Sequence, residues 1–344
     1  MRTILFASGG TGGHVFPAIA IAQAIWNLDS SFRIIFAGRS APSMEERLLS
    51  SQYDYRHIKA VPLARNNMKQ NLLLPFNLLS SVLGAAKLLK KEKPKFIVAT
   101  GGYVALPVML AAIFSRIPFY AIEPNAVMGV ANKICAKYAR KIYIASKTLG
   151  NPVRKMPKNL PAPEIFADSG KFRILITGGS QGALGINKKI EQISEQIFGN
   201  ENLSVVWQAG EKHAYALLEK YGDAKNVCIT AFLDNIYSYM QHADLIISRS
   251  GASTLAEILA FGKASILLPY PYATANHQEH NARAVEREGA AFVELDSEPN
   301  ALWKKIKNLM NDEEKRNKMS KRADELGELN RRAANDIARD ICST

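Results

Sequence analysis

The chain has 344 residues, of which 47% are hydrophobic and 22% are charged. This length predicts two domains, and the composition excludes an intrinsically disordered chain. The three cysteines, Cys135, Cys228 and Cys342, are too few and too far apart to indicate a disulfide framework or a zinc site, so we expect a reducing compartment.

The formal net charge of +13 is unevenly distributed along the chain. Residues 1–150 contain 19 Lys and Arg against 6 Asp and Glu, whereas residues 151–344 contain 25 of each kind. Such one-sided basicity predicts an anionic partner, namely a phosphate, a nucleic acid or a lipid surface. The alternative is a solubility bias without a partner.

No segment is predicted to target the chain or to anchor it in a membrane. The first apolar run is too short for a signal peptide, and the apolar stretch at residues 104–114 is too short to cross a bilayer. We therefore expect a protein that is cytoplasmic or peripheral to a membrane.

Short apolar runs alternate with helical patterns through the first half of the chain. The pattern predicts strands at residues 3–7, 33–37, 96–99, 118–122 and 141–144. It predicts helices at residues 17–27, 44–51, 106–114 and 126–138. This alternation is typical of a parallel sheet with helices on both faces.

The alternation restarts after a proline-rich segment at residues 150–171, which is the predicted linker. It predicts strands at residues 172–177, 204–208, 227–231, 245–248 and 264–268, and helices at residues 182–197, 214–221, 236–242 and 254–261. The last 45 residues are charged and helical in pattern. The sequence thus predicts an α/β protein of two doubly wound domains that face each other across a cleft.

Each half opens with a strand that runs into a glycine-rich loop, TILFASGGTGG in the first half and RILITGGSQGA in the second. The first loop departs from the dinucleotide fingerprint because Val15 stands where a glycine is required, and Arg39 stands at the end of the second strand, where an acid is expected. Glycines allow a close approach of the backbone to a ligand, and a helix start offers N–H groups to an anion. We therefore predict an anion cradle; the alternative is a tight turn without a ligand.

His14 stands at the predicted helix start after this first loop. A histidine beside such a cradle is a candidate general base, whereas most single histidines are structural or exposed.

The second loop, from Gly178 to Gly182, also matches the G-x-S-x-G nucleophile elbow of serine hydrolases. Ser180 would then act with an Asp and a His that follow it in the chain, for example Asp244 and His277. The competing interpretation is that Ser180 and the following helix N-terminus bind a phosphate.

Polar residues of the second half suggest a sugar nucleotide. The carboxylate of Glu257 can accept both hydroxyls of a ribose, although helix dipoles alone favour a glutamate there. Gln278 and Asn281 share a helical turn on which their amides can bind sugar hydroxyls. His277 and His280 lack a third ligand, so we predict that they bind no metal.

The segment at residues 68–95 mixes apolar residues with lysines. This mixture suits an interfacial segment on anionic lipid, and by pattern alone it suits a core helix with a solvated lysine end equally well. The membrane-facing candidates are Leu72, Leu73, Leu74, Phe76, Leu79, Lys69, Lys87 and Lys90.

Taken in order, the motifs GGTGGHVFPAIA, TGGYV, PNAVMGVANK, GNPVR, GGSQGA and SRSGASTLAE…HQEHNA resemble the MurG family of murein glycosyltransferases over nearly the whole chain. The resemblance implies a GT-B fold. It assigns residues 1–153 and a C-terminal helix at about 328–344 to an acceptor- and membrane-facing domain, and residues 154–327 to a UDP-sugar domain. It further implies transfer of N-acetylglucosamine from UDP-GlcNAc to lipid I, with inversion and a new β-1,4 bond.

The resemblance also implies roles for individual residues. His14 is the expected base, and the backbone at Leu233 is expected to read the uracil. Glu257 would bind the ribose hydroxyls. The remaining substrate-binding candidates are Thr11, Gly12, Gly13, Asn125, Arg154, Ser180, Ala252, Ser253, Thr254, Leu255, Ala256 and Gln278, with Tyr103 and Glu123 as secondary acceptor candidates.

The chain departs from the family pattern at Ile122, where a histidine is common, and at Ala105, where a serine is usual. No D-x-D motif follows a strand, so we expect no cofactor and metal-independent transfer. The expected partners are UDP-GlcNAc, lipid I, an anionic membrane surface and other cell-wall synthesis proteins, with no nucleic acid, at the cytoplasmic face of the inner membrane. The rival functions are a diacylglycerol glycosyltransferase, the serine hydrolase and a non-catalytic nucleotide- or lipid-binding module.

Overall fold

The computed structural model describes residues 2–9, 12–39, 46, 49–60, 74–125, 127–145, 150–157, 159–168, 170–179, 182–273, 276–295, 298 and 300–343. Five of the predicted site residues lie outside the described residues: Thr11, Lys69, Leu72, Leu73 and Ser180. The chain forms two compact units. Unit 1 comprises Met1–Arg154 and Arg332–Thr344, and unit 2 comprises Lys155–Arg331.

Unit 1 is built on a parallel sheet with helices on both faces. Its strands are β1 (Arg2–Ala7), β2 (Phe32–Arg39), β3 (Asp54–Ile58), β4 (Phe96–Ala99), β5 (Phe119–Glu123) and β6 (Lys141–Ile144). They pair in the order β3-β2-β1-β4-β5-β6. Its helices are α1 (Gly12–Leu28), α2 (Leu74–Glu92), α3 (Gly102–Ser115) and α4 (Val130–Cys135), followed by a 3-10 turn, Ala136–Tyr138.

Side-chain alternation along β1 divides the core of unit 1 into two layers. Ile4 and Phe6 pack on one face with α1, whereas Leu5 and Ala7 pack on the other face with α2 and α3. Successive side chains of a strand point to opposite faces, so a strand covered on both sides reads as a continuous apolar run. This explains why the apolar run in the sequence predicts β1.

Unit 2 repeats this architecture. Its strands are β7 (Phe172–Thr177), β8 (Leu203–Gln208), β9 (Val227–Thr230), β10 (Leu245–Ser248), β11 (Ser265–Leu267) and β12 (Phe292–Val293), in the order β12-β11-β10-β7-β8-β9. All the pairs are parallel. A 3-10 turn, Glu164–Phe166, precedes the sheet, and the helices are α5 (Leu184–Gln192), α6 (Ser194–Phe198), α7 (Glu211–Tyr221), α8 (Ile236–His242), α9 (Ala252–Ala260), α10 (His277–Arg287) and α11 (Ala301–Asn311).

The final helix, α12 (Glu313–Cys342), contributes to the cores of both units. Met319 and Ala323 pack in unit 2, and Ile337 packs in unit 1. Near the helix end, Asp340 accepts hydrogen bonds from Lys141 and from the buried hydroxyl of Tyr143. These two hydrogen bonds lower the pKa of Asp340, so its carboxylate is stabilised in the ionised form.

Three sequence-based element predictions need correction. The edge strand β3 was not predicted, because its sequence DYRHI is largely polar and partly exposed. The two-residue edge strand β12 was also missed. The helix predicted at residues 182–197 is divided at Ile193 into α5 and α6. Of the helix predicted at residues 44–51, most lies outside the described residues.

Candidate functional site

Both predicted glycine loops follow the first strand of a sheet at the point where the strand order reverses. In unit 1 this point lies between β1 and β4, and in unit 2 it lies between β7 and β10. Ligands of doubly wound sheets bind at the carboxyl ends of the strands at this reversal. Each unit therefore places its predicted loop where the topology favours a ligand.

In unit 1, His14 is the third residue of α1 and is half-buried. Its Nδ1 atom lies 2.7 Å from the backbone oxygen of Thr100, the residue that follows β4. A carbonyl oxygen can only accept, so Nδ1 carries the hydrogen and Nε2 carries the lone pair of the neutral ring. The carbonyl of Thr100 thus selects the tautomer that a general base requires.

The glycine pair after Thr100 packs against the ring of His14. Gly101 has φ +93°, and a Cβ atom there would lie 3.0 Å from Nδ1 of His14. Gly102 has φ +81°, and its Cβ atom would lie 2.1 Å from the oxygen of Gly9. Both positions require glycine, because L residues rarely adopt these angles and the space is already filled.

Glu123 is buried at the carboxyl end of β5, where it organises the following segment. Its Oε1 atom accepts from the backbone and side-chain nitrogens of Asn125, each at 3.1 Å. Its Oε2 atom accepts from the backbone of Gly129 at 2.8 Å and from Nδ2 of Asn132 at 2.9 Å. The structure therefore gives Glu123 a supporting position behind Asn125, and Asn132 was not singled out by the sequence.

Other predicted residues of unit 1 contact its helices and its core. Tyr103 packs against the core on the α2 and α3 face. The guanidinium carbon of Arg154 lies 4.3 Å from the ring centroid of Phe16 on α1. Ile122 and Ala105, which replace the polar residues common in the family pattern, are both buried in the core.

In unit 2, Glu257 lies on α9, the helix that follows β10, and is 7% exposed. Its Oε1 atom accepts a 2.6 Å hydrogen bond from the hydroxyl of Tyr237. Tyr237 was not predicted as a site residue, because a single tyrosine in an amphipathic helix is indistinguishable from a core residue. Leu233 is buried in the same core layer. In the first turn of α9, Ala252 and Thr254 are half-buried, whereas Ser253, Leu255 and Ala256 are buried.

The helix α10 is tied to the loop that precedes α9. The hydroxyl of Ser250 donates to the backbone oxygen of Gln278 at 2.7 Å, and Nδ2 of Asn281 donates to the backbone oxygen of Ser250 at 3.2 Å. The side-chain oxygen of Gln278 accepts from the backbone N–H of Tyr270 at 3.0 Å. The amide nitrogen of Gln278, which is a donor, then lies on the side of Gly251. A Cβ atom built on Gly251 would lie 3.9 Å from this nitrogen.

Arg249 is a further cation at this edge that sequence reasoning missed. Its Nη1 atom donates to the backbone oxygens of Leu268 and Pro269 at 2.8 and 2.9 Å. Burial lowers the pKa of Arg249, although a guanidinium keeps its charge at neutral pH.

Asp244 does not fit the role of triad acid in the serine-hydrolase interpretation. This residue precedes β10, and its carboxylate accepts two hydrogen bonds from the guanidinium of Arg173 at 2.9 and 2.8 Å. The four residues of β10 separate it from the carboxyl edge, which is roughly 13 Å at the usual rise per strand residue. Asp244 therefore serves an ion pair at the opposite edge of the sheet from the Gly178–Gly179 loop.

Within the described ranges, no group of three or more His, Cys, Asp or Glu side chains is placed to hold a metal ion. The pair His277 and His280 lies on α10 without a third ligand among those residues. Metal-independent activity stays a prediction.

Helix α2 presents one stripe of side chains to solvent. Phe76, Leu79 and Leu83 are 72%, 59% and 57% exposed, and the exposed Lys87 and Lys90 continue the same stripe. The opposite face buries Ser81, Ala85 and Leu89, and Leu74 is half-buried. One face of the helix thus packs in the core, as one sequence interpretation predicts, whereas lipid binding by the exposed face stays a prediction. None of the helices in the described part of the chain is long and apolar enough to span a bilayer.

Comparison with known proteins gives matches over both units. Residues 4–144 match the glycosyltransferase family 28 N-terminal domain, and residues 173–341 match the glycosyltransferase family 28 C-terminal domain. The chain is 34% identical to a UDP-N-acetylglucosamine--N-acetylmuramyl-(pentapeptide) pyrophosphoryl-undecaprenol N-acetylglucosamine transferase of Desulfitobacterium hafniense strain Y51, with 95% of each chain covered. It is 35% identical to the protein of the same name from Halothermothrix orenii strain H 168, with 94% of each covered. The crystal structure of Acinetobacter baumannii MurG matches with a TM-score of 0.75 and 28% identity over the whole of both chains.

Proposed function

The chain belongs to glycosyltransferase family 28, and we propose on this basis that it transfers N-acetylglucosamine from UDP-GlcNAc to undecaprenyl-pyrophosphoryl-N-acetylmuramoyl-pentapeptide, or lipid I. The observation that carries this proposal is the identity of about a third over 95% of both chains with a relative whose name states this activity. The product is lipid II, the precursor of peptidoglycan. The MurG resemblance and the GT-B fold expected from the sequence are confirmed.

In the proposed reaction, Nε2 of His14 accepts the proton of the C4 hydroxyl of the acceptor sugar. The hydroxyl oxygen forms a bond to C1 of N-acetylglucosamine while the bond from C1 to the UDP oxygen breaks, and UDP leaves with that electron pair. This single displacement inverts the configuration at C1. The support for the role of His14 is its hydrogen bond to Thr100, which keeps the proton on Nδ1.

The leaving diphosphate requires positive charge or N–H donors. We assign this task to Arg154, to Ser180 and to the N-terminal ends of α5 and α9, whose dipoles favour anions. Since the residues present supply such donors, we propose that transfer proceeds without a metal ion. Thr11, Gly12 and Gly13 are assigned to the pyrophosphate of the acceptor and to the donor sugar.

The remaining assignments concern recognition of the donor. Glu257 is assigned to the ribose hydroxyls, with Tyr237 holding its carboxylate, and the backbone of Leu233 is assigned to the uracil. Gln278 and Asn125 are assigned to N-acetylglucosamine, and both have a hydrogen bond that fixes the side-chain amide. These hydrogen bonds orient the side chains before the substrate arrives.

We further propose that the α2 stripe docks on an anionic membrane at its cytoplasmic face, where the lipid-linked acceptor resides. Three exposed apolar side chains followed by exposed lysines combine insertion between lipids with attraction to their headgroups. Other proteins of cell-wall synthesis are a further expected class of partner.

The deciding experiment is transfer of labelled N-acetylglucosamine from UDP-GlcNAc to a short-chain lipid I analogue, with diacylglycerol as the competing acceptor. We expect transfer to the lipid I analogue alone. Transfer to diacylglycerol would identify a different GT-B transferase. UDP binding without transfer to either acceptor would indicate a non-catalytic module. Covalent labelling by a fluorophosphonate would support the serine-hydrolase function.

A further inference from the structure

Gly179, the second residue after β7, takes part in a closed ring of three hydrogen bonds. The hydroxyl of Thr177, the last residue of β7, lies 2.8 Å from Oε1 of Gln208, the last residue of β8. Nε2 of Gln208 lies 3.3 Å from the backbone oxygen of Gly179, and the N–H of Gly179 donates to Oγ1 of Thr177 at 3.1 Å. Thr177 is 0% exposed and Gln208 is 2% exposed.

The chemistry of the groups gives this ring a single arrangement. The N–H of Gly179 can only donate, so Oγ1 of Thr177 accepts from it and gives its one hydrogen to Oε1 of Gln208. The NH₂ group of Gln208 is then directed at the carbonyl of Gly179, which can only accept. A buried ring with all its members satisfied resists rearrangement, because any change leaves a polar group unpaired in the interior.

Among the described residues, a Cβ atom built on Gly179 would meet nothing within 4 Å, although its φ of +82° still requires glycine. Its carbonyl also accepts from the N–H of Gly182 at 3.0 Å, so both backbone polar groups of Gly179 are engaged within unit 2. The ring therefore fixes the backbone of Gly179 at the start of the glycine loop.

We propose that Gln208 and Thr177 are positioning residues for the diphosphate of the nucleotide donor, and that they act through Gly179. The inference rests on the proposed function, which assigns the donor phosphates to this loop. A backbone that is already held by hydrogen bonds does not have to be ordered when the anion binds, so less of the binding free energy is lost. Neither side chain touches the nucleotide, and neither is a catalytic residue.

The test compares UDP with uridine, which lacks the diphosphate, by titration calorimetry on the full chain. Thr177→Val and Gln208→Met each remove two of the three hydrogen bonds at nearly constant volume. The Kd for UDP should therefore rise at least tenfold, the factor of roughly ten that the loss of one typical hydrogen bond corresponds to. The Kd for uridine should stay within about twofold of the wild-type value, because the ring does not contact the nucleoside. Thr177→Ser keeps the hydroxyl and should restore UDP binding.

Asn226 provides a matched control at the other end of the adjacent strand. It is buried just before β9, and its amide donates to the backbone oxygens of Ile197 and Asn200 at 2.9 and 3.0 Å. Asn226→Leu also breaks a buried polar contact, so it should lower the melting temperature without changing the ratio of UDP to uridine affinity.

The outcomes separate the inference from the function on which it rests. Equal losses of UDP and uridine affinity in the ring variants, or unchanged UDP affinity, would overturn the positioning role. A wild-type chain that fails to bind UDP would instead overturn the proposed function itself. If Gln208→Met does not fold, Thr177→Val and its Ser counterpart decide the question alone.

Discussion

Replacement of Gly101 by alanine tests whether the packing of Gly101 against the His14 ring positions that ring for catalysis. The backbone at Gly101 has φ +93° and ψ −167°, a region that is essentially reserved for glycine and costs an alanine about 1–3 kcal/mol. The added Cβ atom would lie 3.0 and 3.1 Å from Nδ1 and Cε1 of His14, so the ring must move by a few tenths of an ångström. That movement weakens the 2.7 Å bond to Thr100, which adds about 1 kcal/mol.

We therefore expect Gly101→Ala to lower the free energy of unfolding by about 2–4 kcal/mol, which is the sum of these two costs. We expect kcat for transfer to a lipid I analogue to fall by about 10- to 100-fold, because a small misplacement of a reacting group is costly. KM for UDP-GlcNAc should change little, since the proposed donor contacts of unit 2 are untouched.

Gly289 supplies the matched control for this variant. Its φ is +73°, and a Cβ atom there would meet nothing within 4 Å. Gly289→Ala should thus lose stability through the positive φ of this position while kcat stays at the wild-type value. A Gly101→Ala enzyme with wild-type kcat, or an equal fall of kcat in both variants, would refute the reasoning.

Three further predictions follow from the structure. Hydrogen bonds and the charge of Arg173 outweigh the burial of Asp244 and lower its pKa, so this ion pair stabilises unit 2 fully above about pH 4 and is lost as the pH falls further; the urea midpoint should fall more steeply below pH 4 in the wild type than in Asp244→Asn, and parallel curves would contradict this. The double variant Phe76→Ser and Leu83→Ser should bind phosphatidylglycerol vesicles at least about tenfold more weakly in a sedimentation assay, whereas Tyr215→Ser, at an 80% exposed position of unit 2, should not. EDTA should leave transfer largely intact, and complete inhibition that added Mg²⁺ or Mn²⁺ reverses would show that a metal ion is required.

The central strands could be predicted from the sequence because they are covered on both faces. β10, with the sequence LIIS, was predicted with the bounds that the structure gives it, and its four residues are all buried. The polar edge strand β3 has one side of its pairing open and no apolar run, so nothing in its composition separates it from a loop.

The site could be predicted only where a residue type carries its own chemistry. His14 and the glycine loops could be found because these residues are unusual beside a strand end. The partner of His14 is the backbone oxygen of Thr100, which any residue could supply, and Gln208 meets Thr177 only through the register of β7 and β8. Such contacts follow from the pairing of strands that are distant in sequence, and a local pattern does not contain that pairing.

The most direct test of the account measures binding and transfer together in the wild type and in His14→Ala. The wild type should transfer N-acetylglucosamine to the lipid I analogue. His14→Ala should bind UDP-GlcNAc with the wild-type Kd and lose about 10²- to 10⁴-fold in turnover, the usual contribution of a general base. A wild-type chain that transfers nothing to lipid I, or a His14→Ala variant that turns over at the wild-type rate, would contradict it.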